Sequence, residues 1–159
     1  MTEILLPQPS EINGTEKERA MAAYLTMFAT TTIGLPLPFL NFFAAIAYHL
    51  YIRKTSPFVS FHSYQSLISQ FITSIFNGVT IVWAVISFIQ NNFTDAFFAF
   101  LILTVIINLV YFILSVLAAV KAYQGKMFYF FFFGKIAFRH GYRTYENNEN
   151  TNPNTPPAL

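Results

Sequence analysis

From Phe61 to Ile89 the chain reads FHSYQSLISQFITSIFNGVTIVWAVISFI, 29 residues without a formal charge or a proline. As a helix rising ~1.5 Å per residue it is about 43 Å long, enough to cross a bilayer and its headgroups. Its polar residues are not scattered. At about 100° per residue, His62, Ser66, Ser69, Gln70, Thr73, Asn77 and Thr80 fall within an arc of roughly 100°. Hydrocarbon offers such groups no hydrogen-bond partner, so the stripe must face protein or a water-filled cavity.

The rest of the chain suits the same environment. Of 159 residues, 55% are hydrophobic and only 10% charged, where soluble proteins carry about a quarter. A net charge of +2 is too small to suggest nucleic acid as a partner. There is no cysteine, which excludes disulfides, thiolate metal sites and thiol catalysis. The first twenty residues include Glu3, Glu11, Glu16 and Glu18 and lack the basic start and early apolar core of a cleavable signal peptide.

Residues 1–15 read as a flexible tail and 16–140 as the membrane domain. Thr15 and Glu18 have capping-box spacing, so a first helix starts there and runs to Ile33. Gly34, Pro36 and Pro38 break it. A second helix covers about Pro38 to Ile52. Both are shorter than the ~20 residues of a usual span, so this pair is tilted or forms a re-entrant hairpin. The long third helix follows the turn at Thr55–Pro57. Asn91 and Asn92 close it, Thr94 and Asp95 cap a fourth helix over Ala96–Tyr123, and Gly125 ends that one. Met127–Phe138, MFYFFFFGKIAF, is too short to span, and Gly134 breaks it. Its aromatics beside Lys126, Lys135 and Arg139 suit a segment lying in the interface. Residues 141–159 read as a disordered tail. The fold class is therefore all-α: a polytopic membrane protein with four transmembrane helices and a C-terminal interfacial segment.

Charge sets the orientation. Lys17, Arg19, Arg53, Lys54, Lys121, Lys126, Lys135, Arg139 and Arg143 all lie in the N-terminal region, the second loop or the C-terminal end. Four crossings put those regions on one side, which the positive-inside rule makes cytoplasmic. A re-entrant first pair gives the same sidedness. The expected location is the bacterial cytoplasmic (inner) membrane, multi-pass, with both termini inside.

The fourth helix carries a stripe of its own: Thr104, Asn108, Tyr111 and Ser115, followed by Ala119 and Ala122. In an antiparallel hairpin closed at Asn91–Phe93, residues at equal depth have numbers summing to about 184 or 185. Thr80 then meets Thr104, Asn77 meets Asn108, Thr73 meets Tyr111, Gln70 meets Ser115, and Ser66 meets Ala119. Such stripes either seal helix to helix or line a hydrated path. No Asp, Glu, Lys or Arg lies between them, so the usual marker of an ion or proton pathway is missing.

No Ser–His–Asp arrangement, phosphate-binding loop or carboxylate pair appears, so no catalytic residue is assigned. His49, His62 and His140 all fall near the cytoplasmic surface, but their spacing matches no ligand motif and no metal or cofactor is expected. His62 and Gln65 are read as capping or bracing the start of the third helix, where free backbone N–H groups need partners. The triplet Asn92-Phe93-Thr94 matches a glycosylation sequon of a kind that arises by chance.

PFVSFHSYQSL at Pro57–Leu67, the broken hairpin GLPLPFLN and the ending LAAVKAYQGKMFYFFFFGKIA resemble a bacterial family of small membrane proteins. That family is related to the Tic-twenty component of the chloroplast inner-envelope import translocon. Its His and Gln, three residues apart at the opening of the third helix, correspond to His62 and Gln65. Ser63 and Ser66 stand where alanines are common in that family. The resemblance covers roughly Ala20 to Ala137. It implies four helices with both termini on one side, and no catalytic residues. The function expected is a non-enzymatic integral membrane protein of Tic-twenty-like type that assembles with itself or with other membrane proteins. The alternative is a channel or translocation component using the polar face of the third helix.

Overall fold

A computed structural model describes residues 7–28 and 39–150, with side chains described as far as residue 142. Among these residues there are five α-helices and no strand: α1 (Gly14–Leu25), α2 (Leu40–Ile52), α3 (Pro57–Ile89), α4 (Asp95–Tyr123) and α5 (Gly134–Asn150). The expected break at Gly34, Pro36 and Pro38 lies outside the described residues, as do the outer ends of both tails.

Local chemistry explains most boundaries. Asn13, not Thr15, caps α1, its side chain accepting from Thr15 N–H. Regular helix stops at Leu25, and a 3-10 turn takes over at Thr26–Phe28. Ser56 caps α3 by accepting from Val59 N–H, with Pro57 in the first helical turn. Thr94 caps α4 by accepting from Phe97 N–H. Both long helices end in the same way. At α3 the N–H groups of Asn92 and Asn91 return to the carbonyls of Ser87 and Phe88, and at α4 those of Lys126 and Gly125 return to Lys121 and Ala122. This is a Schellman end, which needs a left-handed residue after the cap: Asn91 at φ 48° and Gly125 at φ 73°.

Among the described residues, only α3 and α4 are long and apolar enough to cross a membrane. They lie antiparallel. Phe76 stacks on Phe100 at 5.9 Å, and Trp83 meets Phe97 edge-on at 6.0 Å. The shorter helices flank one end of this hairpin. On α1, Ala20 and Ala23 are buried in one cluster with Ala118, Ala119 and Ala122 of α4, where small side chains allow close approach. α2 runs from Phe39, beside Gly78, to Ile52 in the same cluster. α3 therefore has two environments. Phe58 to Ser63 is buried throughout, whereas Ile81, Val82, Val85, Ile86, Phe88 and Ile89 are exposed.

The C-terminal region packs back on the hairpin. Non-helical chain after Gly125 turns back beside α3, where Phe130 N–H donates to Gln65 Oε1. Gln65 is eight residues into α3, ~12 Å from its start. Gly134 does not break a helix there but begins one. A Cβ on it would lie 2.7 Å from Tyr129 Cβ, so glycine permits the tight reversal. α5 then runs outward along the first turns of α3 and reaches Asn150, beyond residue 140 where a loose tail is expected.

A Cβ at Gly141 would lie 2.9 Å from Phe61 N and 3.1 Å from Pro57 O, both backbone atoms of α3. Gly141→Ala should therefore push α5 off α3 and destabilise the protein by about 1–3 kcal/mol. Gly14→Ala, with nothing within 4 Å, should leave the melting midpoint in detergent nearly unchanged.

Candidate functional site: a polar seam inside the helix cluster

The seam begins where α1 crosses α3. Tyr24, His62 and Gln65 are fully buried. The Tyr24 hydroxyl lies 2.9 Å from His62 Nδ1 and accepts from Gln65 Nε2 at 2.9 Å. Its proton is thus free for the imidazole nitrogen, which sets the ring tautomer. Gln65 Nε2 also donates to the Phe128 carbonyl, and Gln65 Oε1 accepts from Phe130 N–H. One carboxamide thereby ties α1, α3 and the loop after α4. His62 and Gln65 brace the helix, while its cap is Ser56.

Deeper along α3 the polar residues serve α1 or their own helix. Ser66 Oγ donates to the Ala23 carbonyl at 2.7 Å. Gln70 Nε2 donates to Thr26 Oγ1 at 2.7 Å and to Ser66 Oγ at 3.0 Å. Thr73 Oγ1 bonds back to the carbonyls of Ser69 and Gln70. At this end α1 touches both α3 and α4, and Gln70 makes no hydrogen bond to Ser115, whose hydroxyl has no partner. Ser115 is buried, and Tyr111 turns its hydroxyl towards Ser115, Ser66 and Gln70 without a hydrogen bond of ordinary geometry.

Past the end of α1 the hairpin helices pair directly. Asn77 Nδ2 donates to Asn108 Oδ1 at 3.2 Å, and Asn108 Nδ2 donates to Asn77 Oδ1 at 2.8 Å. The Thr80 and Thr104 hydroxyls lie 2.9 Å apart. Between the α1 junction and this pair sits a cavity of about 390 Å³, lined among others by Gln70, Thr73, Ser74, Asn77, Asn108 and Tyr111.

Several contributors carry only weak sequence signals. Tyr24 stands among small residues in AMAAYL, which hints at close packing and not at a polar hub. His49 Nδ1 meets Ser63 Oγ at 2.8 Å. His140 stacks on Tyr64 at 3.9 Å, with its centroid 5.8 Å from that of His49. His62 is turned away to Tyr24. Among the described residues no three His, Cys, Asp or Glu side chains converge as a metal site would require.

A family model for magnetosome magnetite crystal formation proteins (MamF/MmsF) matches residues 15–137. The chain belongs to that family. The Tic-twenty-like resemblance is thereby corrected, because the two families are different. His62 and Gln65, which carried it, are explained by contacts within this chain: a tyrosine brace and a loop clamp. No curated protein and no solved structure matches the chain. Membership of this family and two helices of spanning length make the chain a membrane protein.

Asn77→Leu and Asn108→Leu should each cost about 0.6–2 kcal/mol. The double variant should cost less than their sum, because each single change strands the other amide. Denaturant titration in detergent measures all three.

Burial, with the Arg53 guanidinium nearby, holds the His140 pKa below its ordinary value. The unfolded chain takes up a proton near pH 6.5 that the folded chain resists. Stability from this residue is therefore full above that pH and is lost as pH falls below it. The melting midpoint should drop on acidification from pH 7.5 to 5, and His140→Phe, which keeps a stacking ring, should flatten the decline.

Proposed function

We infer that this chain is a non-enzymatic, multi-pass scaffold of the membrane in which magnetite crystals form, assembling with itself or with other membrane proteins there. The observation that carries this reading is how the seam uses its polar groups. Gln65, Ser66, Asn77, Thr80, Thr104 and Asn108 bond to one another, to α1 or to the loop after α4. A seam bonded in that way fixes a shape by tying the helices and the loop to one another. Apolar side chains of α3 and α4 are left outside for lipid or for membrane partners.

In this reading α3 and α4 cross the bilayer, and α1 and α2 enter from the same face as a short pair. Both termini lie in the cytoplasm, supported by the segregation of all nine basic residues. The cavity beside Asn77 favours a second reading, a wet pocket serving transport. It ranks lower because, among the described residues, no charged side chain lines it.

Reporters fused after Leu159 and within Asn91–Thr94 should report opposite sides, and the same side would sink the topology. In a magnetite-forming cell lacking this chain, variants such as His62→Phe or Ser115→Ala that still fold should restore normal crystals. A folded variant that changes one polar side chain and abolishes crystal formation would show that chemistry, not shape, is supplied. A cysteine at Asn77 that reacts fast with a water-soluble thiol reagent would favour the wet pocket.

A further inference from the structure

On the other side of the α3/α4 hairpin runs an apolar groove of about 580 Å³. Ile72 of α3 forms one wall, Ile106, Ile107, Val110 and Leu114 of α4 the other, and the Phe130–Phe133 loop closes one end. Ile106 to Leu114 is ~12 Å of helix, which sets its length. Three hydroxyl-bearing residues border it, but none offers its hydroxyl to the groove: Tyr111 turns its own into the seam, towards Ser115, Ser66 and Gln70. Ser69 donates to the Gln65 carbonyl, and Thr73 to the carbonyls of Ser69 and Gln70. An occupant therefore has to be apolar over this length. At the loop Phe131 and Phe132 are 92% and 74% exposed, so no described residue covers the groove from that side.

The stretch of chain that supplies the α4 wall and the loop is basic. Between residues 96 and 145 the chain carries Lys121, Lys126, Lys135, Arg139 and Arg143 and no acidic residue. Lys126 and Lys135 bracket the phenylalanine loop four residues before it and two residues after it, and both are exposed. A second copy in the same membrane orientation would bring an identical basic flank to the same depth, and like charges oppose that contact. An anionic headgroup is attracted there instead.

We propose that the groove between α3, α4 and the Phe130–Phe133 loop holds one acyl chain of an anionic phospholipid, its phosphate drawn to Lys126 and Lys135. The site is distinct from the polar seam, which lies between the helices. Its effect is to brace the returning loop against the hairpin from the lipid side, as Gln65 does from the inside.

Native mass spectrometry of the full chain in mild detergent tests this, with phosphatidylglycerol and phosphatidylcholine of identical chains as probes. Wild type should retain one phosphatidylglycerol per chain, about tenfold tighter than phosphatidylcholine. Val110→Trp fills the groove from a half-exposed position and should weaken retention of both lipids about tenfold at an unchanged melting midpoint. Ile107→Trp gives a second, independent filling. Lys126→Gln with Lys135→Gln should abolish the preference between headgroups while leaving phosphatidylcholine retention as it was. Equal retention of the two lipids by wild type, or retention unmoved by both tryptophans, overturns the proposal. So does efficient disulfide formation between copies of Val110→Cys in this cysteine-free chain, which would place a second copy on the groove.

Discussion

Gln65 is the residue through which the parts of this molecule are joined. Its carboxamide is fully buried, and each end is used: Nε2 donates to the Tyr24 hydroxyl and the Phe128 carbonyl, and Oε1 accepts from Phe130 N–H. Chain without helical hydrogen bonds cannot enter a low-dielectric layer unless something else satisfies its backbone. Gln65 supplies that for the loop after α4. Once the loop is held, Gly134 can reverse it and α5 can run back along the start of α3. Close backbone approach at Gly141 completes that contact. Removing the amide would strand the Phe128 carbonyl and the Phe130 N–H together, which costs more than the loss of the bonds.

The division of α3 into a buried and an exposed half follows from the lengths of its neighbours. α1 and α2 have 12 and 13 residues and cannot cover a helix of 33. They enclose its first turns, where polar side chains are dense, and leave its last turns bare, where aliphatic side chains are dense. The polar groups are thus concentrated where protein surrounds them. Where the hairpin stands alone, its remaining amides and hydroxyls pair across two helices, Asn77 with Asn108 and Thr80 with Thr104. Each zone solves the same problem with the partners available at that depth.

For a member of the magnetosome magnetite crystal formation family, this arrangement argues for a role in shaping a membrane assembly. The histidines illustrate it. His62 supports Tyr24, His49 meets Ser63, and His140 stacks on Tyr64. The three side chains sit at three junctions of α3, with α1, α2 and α5. The outer surface is where the chain remains open to other molecules, through the lipid-facing hairpin, the exposed Phe131 and Phe132, and the basic flank around them.

The helices themselves were legible in the sequence, because hydrophobic runs, caps and breakers act over a few residues. The uncharged run after Pro57, the Thr94 cap and the left-handed Gly125 each mark a boundary from local chemistry alone. Depth in the α3/α4 hairpin was also legible near its closed end, since a short turn fixes the register and a helix rises by a constant step. From Ser66 to Gln70 the hydrogen bonds go instead to Ala23 and Thr26; no local pattern announces a third helix. Family identity misled for a related reason. His62 and Gln65 look like a motif when read alone, yet they exist to satisfy Tyr24 and the Phe128–Phe130 backbone, which lie 38 and more than 60 residues away in the chain. The course of residues 126–150 belonged wholly to the tertiary structure. An aromatic segment with lysines fits an interface as well as a re-entrant loop. Where that segment packs is set by a buried amide positioned to receive its backbone and by two glycines permitting close approach.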